Sequence, residues 1–261
     1  MSSPLILLTN DDGIRAKGLR ALVEIARPFG KLVLVAPEEV QSGQSHAITS
    51  HLPLRIRKID PYDKDVEAYA CTGTPVDCVK LCMSHLLHGG VPDVVLSGIN
   101  HGSNSSSSIL YSGTVAAAQE GALYGAQALA FSLLNLSADA DFSNCIGVGQ
   151  QILEKALRTP MRKDTLLTVN IPDVPGSQLK GIKVMRQAQG MWVERYDRRI
   201  DPHNNDYFWL TGDYVNKEPD ATDTDEWALA NNYVSITPIQ ADMTSYNDIP
   251  VLQQVFNSEK L

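Results

Sequence analysis

The chain has 261 residues, 43% of them hydrophobic and 20% charged, so it can bury a core without disulfide staples and is too apolar for a disordered segment. Its net charge of −8, from 30 acids against 22 Lys and Arg, excludes a sequence-independent nucleic-acid binder, which needs a basic face. An acidic chain that handles phosphate must instead use a bound cation or a helix N-terminus.

Short apolar runs alternate with helical patterns through the first two-thirds of the chain. Leu5 to Leu8 is an unbroken strand that runs into polar Thr9-Asn-Asp-Asp-Gly13. Leu19, Leu22, Val23 and Ala26 then repeat at helical spacing. Leu32 to Ala36 is a second buried strand, ended by Pro37 and followed by a polar loop from Glu38 to His46. A third cycle opens at Val66 to Cys71. There Thr74 is the expected N-cap, with Pro75 at the first helical position and Asp77 in the first turn.

Asp93 to Leu96 is a further strand, and Ser97 to Tyr111 reads as a long polar loop. A helix is expected from Ser112-Gly-Thr114 through Tyr124, with more strands at Ala128–Phe131 and Leu166–Asn170. Continuous apolar strands imply a sheet covered by helices on both faces, the α/β pattern of a doubly wound, mostly parallel sheet. Such sheets bind ligands beyond the carboxyl ends of their strands, so the polar clusters after the first, second and Asp93 strands are expected to converge.

The expected division is a core over residues 1–180 and a C-terminal segment over 181–261. In the latter, Trp192 to Tyr214 predicts a projecting β-hairpin, Val234 to Pro238 a late strand and Pro250 to Phe256 a final helix. The aromatics of the hairpin suit packing better than base stacking. The acidic stretch Asp220 to Glu226 lacks the glycine and spacing of a calcium loop and reads as solvated surface.

Cys71, Cys78, Cys82 and Cys145 lack the paired spacing of a zinc site, and Cys78 and Cys82 read as small buried hydrophobes. His85 and His88 lie three apart with no carboxylate at ligand spacing, which predicts a solvated pair. There is no membrane-length apolar run and no basic leader, and the expected location is the cytoplasm.

Four segments can carry chemistry. Asp11 and Asp12 are adjacent carboxylates that repel unless a cation lies beside them, and a hard cation prefers such oxygens. Asn10 to Gly13 is also a favourable turn, and its place at a strand end tips the reading toward a metal. Gln41 to Ser45 by itself reads as a surface loop, since the Ser42 hydroxyl is a weak ligand that helps only beside carboxylates. Asn100 can offer an amide oxygen to a hard metal. Ser112-Gly-Thr114 is an ordinary cap or a phosphate cradle, and the two are compatible. Neither a GxxxxGK[ST] phosphate loop nor a nucleophile elbow is present.

Taken together, the ordered set Leu7-Leu-Thr-Asn-Asp-Asp-Gly13, Val35-Ala-Pro37, Ser42, Ser45, Thr72-Gly-Thr-Pro75, Asp77-Cys78, Ser97-Gly-Ile-Asn100, Gly102, Asn104 and Tyr111-Ser-Gly-Thr-Val115 resembles the SurE family of survival-protein nucleotidases. The set runs through roughly the first half of the chain. The resemblance implies a Rossmann-like core, one divalent cation per subunit (Mg²⁺ or Mn²⁺) on Asp11, Asp12, Ser42 and Asn100, and phosphate contacts from Asn104, Ser112, Gly113 and Thr114. It also implies hydrolysis of nucleoside 5′- and 3′-monophosphates, a 5′-nucleotidase activity. Homodimers or homotetramers with exchanged C-terminal segments are implied as well.

One departure is the serine run Ser105 to Ser108, where family members often carry acidic residues. Asp11 or Asp12 is the expected proton acceptor for an attacking water. The competing readings are a polyphosphatase or other phosphomonoesterase, a non-catalytic nucleotide-binding module, and a glycosyltransferase or dehydrogenase on a similar core. The last lacks its dinucleotide glycine fingerprint.

Overall fold

A strand that is apolar at every position must bury both of its faces, and the first two strands meet that demand by alternation. In the computed structural model of the protein, which describes residues 3–63 and 66–257, β1 (Leu5–Thr9) sends Ile6 and Leu8 to one core and Leu7 to the other. In β2 (Lys31–Pro37), Leu32 and Leu34 oppose Val33 and Val35 in the same way.

α1 (Lys17–Ala26) and α4 (Ser143–Arg158) cover the first face with Leu19, Leu22, Ile152 and Leu153. α2 (Pro75–Leu81) and α3 (Gly113–Leu123) cover the second with Cys78, Val79, Val115 and Ala118. α2 begins at the expected N-cap Thr74, and the structure adds a capping box in which the Thr74 hydroxyl accepts from the Asp77 N–H and the Asp77 carboxylate accepts from the Thr74 N–H. The remaining strands of the core are β3 (Ile56–Asp63), β4 (Val66–Cys71), β5 (Val94–His101), β6 (Gln127–Leu133) and β7 (Thr165–Ile171).

Beyond residue 181 come β8 (Ile182–Val184), β9 (Gly190–Ile200), β10 (Asp206–Asn216), α5 (Asp225–Ala230), β11 (Val234–Gln240) and α6 (Ile249–Phe256). The nine-stranded sheet has the order β3-β4-β2-β1-β5-β6-β7-β11-β8. Its centre, from β4 to β7, is parallel, whereas β3 pairs antiparallel with β4 and β11 antiparallel with β7. This is the expected Rossmann-like doubly wound sheet.

The chain runs outward from β1 through β2 and returns on the other side of β1 as β5. That reversal opens the crevice of a topological switch point between the ends of β1 and β5. Asp11 and Asn100 sit at those ends.

Three features differ from the sequence reading. β3 carries too few apolar residues to stand out, and it is an edge strand that needs only one partner. β5 continues through His101, so the loop after it is shorter than expected and contains a 3₁₀ turn at Ser106–Tyr111. The segment after residue 181 divides, with β8 and β11 completing the main sheet while β9 and β10 form a separate two-stranded hairpin. Among the described residues, no helix is long and apolar enough to cross a membrane.

Gly18 lets α1 approach the end of β5, since a Cβ there would lie 2.1 Å from the Ile99 carbonyl oxygen. Gly18→Ala is therefore expected to destabilise the protein by about 1–3 kcal/mol, against the gain of about 1 kcal/mol that Ala brings to a helix interior. Urea denaturation reads the sign, and a stabilised variant would contradict this packing.

Candidate active site

The first two segments of interest are joined through the backbone. The Gln41 N–H donates to the Asp11 carbonyl at 2.7 Å, and the Ile14 N–H donates to the Pro37 carbonyl at 2.8 Å. The loop after β2 thus lies along the loop after β1. At its far end the Ser45 N–H donates to the Tyr111 carbonyl at 3.0 Å, and the Ser45 hydroxyl donates to the Leu110 carbonyl at 2.7 Å. Ser42 is exposed on this span, whose ends are fixed to Asp11 on one side and to the approach of α3 on the other.

The start of α3 closes the arrangement. The Ser112 hydroxyl caps the helix by accepting from the Val115 N–H at 3.1 Å. The buried Thr114 hydroxyl donates to Asp11 Oδ1 and lies 3.5 Å from Asn100 Oδ1. A Cβ on Gly113 would lie 3.0 Å from the Asp11 Cβ and 3.2 Å from its Oδ2, so the helix start and the carboxylate are in close contact and a larger residue would need the carboxylate to give by a few tenths of an ångström. Asn100 donates its amide N–H groups to the carbonyls of His101 and Gly102 at 3.0 and 2.8 Å. Its oxygen is therefore the free end, turned toward Thr114.

Asp11, Asn100, Gly113 and Thr114 thus come together. Asn104 stands apart from that contact and is held differently. Its buried side chain donates to the Ser132 hydroxyl at 2.9 Å, and its backbone N–H donates to Asn170 Oδ1 at 2.8 Å.

The electrostatics of the pair are unfavourable as they stand. Asp11 is 3% exposed, and burial raises its carboxyl to about 6; the Thr114 hydrogen bond opposes that rise and the neighbouring Asp12 adds to it. Burial raises Asp12 too, with His101 opposing. Asp12 Oδ2 is buried with no hydrogen-bond partner, as is Asn10 Oδ1. Among the described residues, no lysine or arginine forms an ion pair with either aspartate.

A cation from solution would relieve both carboxylates and take up the orphaned Asp12 oxygen. Among the described residues, no group of three His, Cys, Asp or Glu gathers at one point. The donor set at the crevice is two carboxylates, an amide oxygen and, on the adjoining loop, a hydroxyl. All-oxygen sets of this kind fit a hard cation and not zinc.

Several contributors escaped the sequence reading. His101 adjoins Asp12 and packs edge-on against Phe142 at 5.0 Å between ring centroids. Ser132 and Asn170, which hold Asn104, are polar residues at the ends of apolar strands, and that position was their only signal. The acidic stretch read as solvated surface is exposed at Asp220 and Asp223 but is corrected at its end. Asp225 is fully buried because it turns inward to accept from the Ser106 and Ala188 N–H groups, each at 2.9 Å.

A family model described as "Survival protein SurE" matches residues 6–194. The chain belongs to the SurE family. It is 50% identical over 246 residues to a protein named 5′-nucleotidase SurE from Cytophaga hutchinsonii, covering 94% of each chain. It is 46% identical over 252 residues to a protein of the same name from Flavobacterium psychrophilum, covering 97% of each. The SurE crystal structure from Aquifex aeolicus is similar at a TM-score of 0.82 with 38% identity, covering 97% of this chain and 99% of that one. The similarity extends past the family-model match into the C-terminal segment.

The raised Asp11 value has a consequence for this SurE chain in the absence of metal. Its folded value, about 6, lies above the unfolded 3.8, so the folded state binds the proton more tightly. Any stability from that proton is complete below 3.8 and lost as pH rises through about 6. Asp11→Asn is expected to flatten that decline and to raise the Tm of the metal-free protein at pH 8 by a few degrees. A melting curve in chelator measures it, and a lowered Tm would contradict the account.

Proposed function

We propose that the chain is a phosphomonoester hydrolase that releases phosphate from nucleoside 5′-monophosphates, and from 3′-monophosphates, with a hard divalent cation. One observation carries the reading: Asp11 is buried against the open start of a helix, half-buried Asp12 adjoins it, and among the described residues no lysine or arginine pairs with either. The names of the relatives from Cytophaga and Flavobacterium support the substrate class.

In this reading Asp11, Asp12, Ser42 and Asn100 hold Mg²⁺ or Mn²⁺. When bound, such a cation neutralises phosphate charge and makes a nearby water more acidic. Thr114 fixes the Asp11 carboxylate through its hydroxyl. The Ser112 hydroxyl accepts as the cap and keeps its own proton to donate, so it joins the backbone N–H groups of Gly113 and Thr114 as donors to phosphate oxygens. Asn104 supplies a further amide donor, held by Ser132 and Asn170. One of the two carboxylates accepts the proton of the attacking water. A binder that does not turn over has no use for this pair, whose ionised form is costly until a cation arrives.

The flanking segment supports self-association with exchanged C-terminal segments as a dimer or tetramer. Phe208 and Trp209 on the hairpin are 56% and 59% exposed, and Val251, Leu252, Val255 and Phe256 of α6 are all exposed. Apolar surface on this scale marks an interface. The four cysteines are unpaired and buried, in keeping with the reducing cytoplasm.

Separate Asp11→Asn and Asp12→Asn variants, assayed for phosphate release from AMP with Mg²⁺ or Mn²⁺, test the assignment. Each is expected to lose roughly 10²-fold or more in kcat/KM, and chelator is expected to abolish wild-type activity. Activity within a few-fold of wild type in either variant would sink the proposal.

A further inference from the structure

Asp225 and Glu226 open α5, far along the chain from the crevice, yet their carboxylates reach the loop that follows β5. Asp225 is fully buried. Its Oδ2 accepts from the Ser106 N–H at 2.9 Å, while its Oδ1 accepts from the Ala188 N–H at 2.9 Å and the Glu226 N–H at 2.8 Å. Glu226 Oε1 accepts from the Ser105 hydroxyl at 2.5 Å. Burial raises both carboxyls, and the hydrogen bonds from the loop oppose that rise.

Neither carboxylate has an ion-pair partner among the described residues, since Arg186 nearby pairs with Glu218 and Asp223. A buried carboxylate without a cation persists where N–H and O–H donors surround it.

What these acids hold is specific. Ser106 has φ of 49°, a left-handed conformation uncommon for a residue with a side chain. Its remaining polar groups are held from the same direction. The Ser106 hydroxyl donates to the Ala188 carbonyl at 2.9 Å, and Gln187 Nε2 donates to the Ser106 carbonyl at 2.8 Å. Ser105 and Ser106 directly follow Asn104. Asn104 is held by Asn170 and Ser132 on the sheet side, and the α5 acids hold the chain leaving it. Ala188 lies just before the first hairpin strand, so the same carboxylate also ties down the hairpin base.

We infer that Asp225 and Glu226 are positioning residues for phosphate binding: by hydrogen bonds to Ser106 and Ser105 they clamp the loop that presents Asn104. The inference rests on the reading of Asn104 as a phosphate contact. Ser105 is a donor to Glu226, and an acid in its place would repel that carboxylate.

Because Asp225→Ala risks misfolding, the test uses Glu226→Ala, Glu226→Gln and Ser105→Ala, with Asn104→Ala as the reference. The readouts are inorganic phosphate affinity by calorimetry, KM and kcat for AMP, and Mn²⁺ affinity. Glu226→Ala and Ser105→Ala are each expected to weaken phosphate binding and raise KM about 5- to 10-fold, the factor that loss of one ordinary hydrogen bond brings. Mn²⁺ affinity is expected to stay at the wild-type value, and the double variant to be no worse than either single one.

Glu226→Gln keeps the acceptor oxygen and is expected to restore phosphate affinity, a rescue that a general loss of stability would not give. Wild-type phosphate affinity in Glu226→Ala alongside a weakened Asn104→Ala would overturn the clamp alone. Wild-type phosphate affinity in Asn104→Ala would overturn the phosphate-contact reading, and the clamp with it.

Discussion

The structure turns on two adjacent aspartates at the reversal of a parallel sheet, Asp11 buried and Asp12 half-buried, with no lysine or arginine among the described residues paired to either. Desolvation disfavours both charges, and their proximity adds to the cost for Asp11. A fold that keeps such a pair needs a compensating charge from outside, and much of the local architecture is arranged around that need. The sheet order puts β1 beside both β2 and β5. The loops after all three strands and the start of α3 therefore surround the same few atoms.

Around that pair, the polar groups are aimed by hydrogen bonds at the rear. Asn100 spends its N–H groups on backbone carbonyls, which leaves its oxygen facing the crevice. Thr114 points its hydroxyl at Asp11, and Gly113 lets the helix start approach the carboxylate closely, where a methyl group would be tight. Asn104 is fixed by Ser132 and Asn170 at the ends of β6 and β7. Such support from behind holds first contacts in place before a ligand arrives, and preorganisation of this kind is what catalysis by positioning requires.

Much of this was legible in the chain itself. Unbroken apolar runs identified the buried strands, and Thr74, Pro75 and Asp77 announced the start of α2. The polar clusters after strands one, two and five were readable as segments that should converge. What escaped was whatever depended on tertiary partners. β3 needs only one neighbour and lacks an apolar signature. Asp225 looks like any surface acid until the loop that surrounds it is folded. Ser132 and Asn170 differ from their strand neighbours only in being polar, and their purpose appears once Asn104 lies between them. Local pattern reports periodicity and caps, whereas a buried carboxylate is explained only by donors distant in sequence.

The central claim is that the aspartate pair is a cation site, and binding of Mn²⁺ to the metal-free protein tests it most directly. Titration followed by electron paramagnetic resonance counts free Mn²⁺ without any reference to turnover. The account predicts one Mn²⁺ taken up per chain at neutral pH, lost in Asp12→Asn and weakened as pH falls toward the folded value of Asp11 at about 6. Uptake that survives Asp12→Asn, or no uptake at all by the wild-type protein, would contradict it.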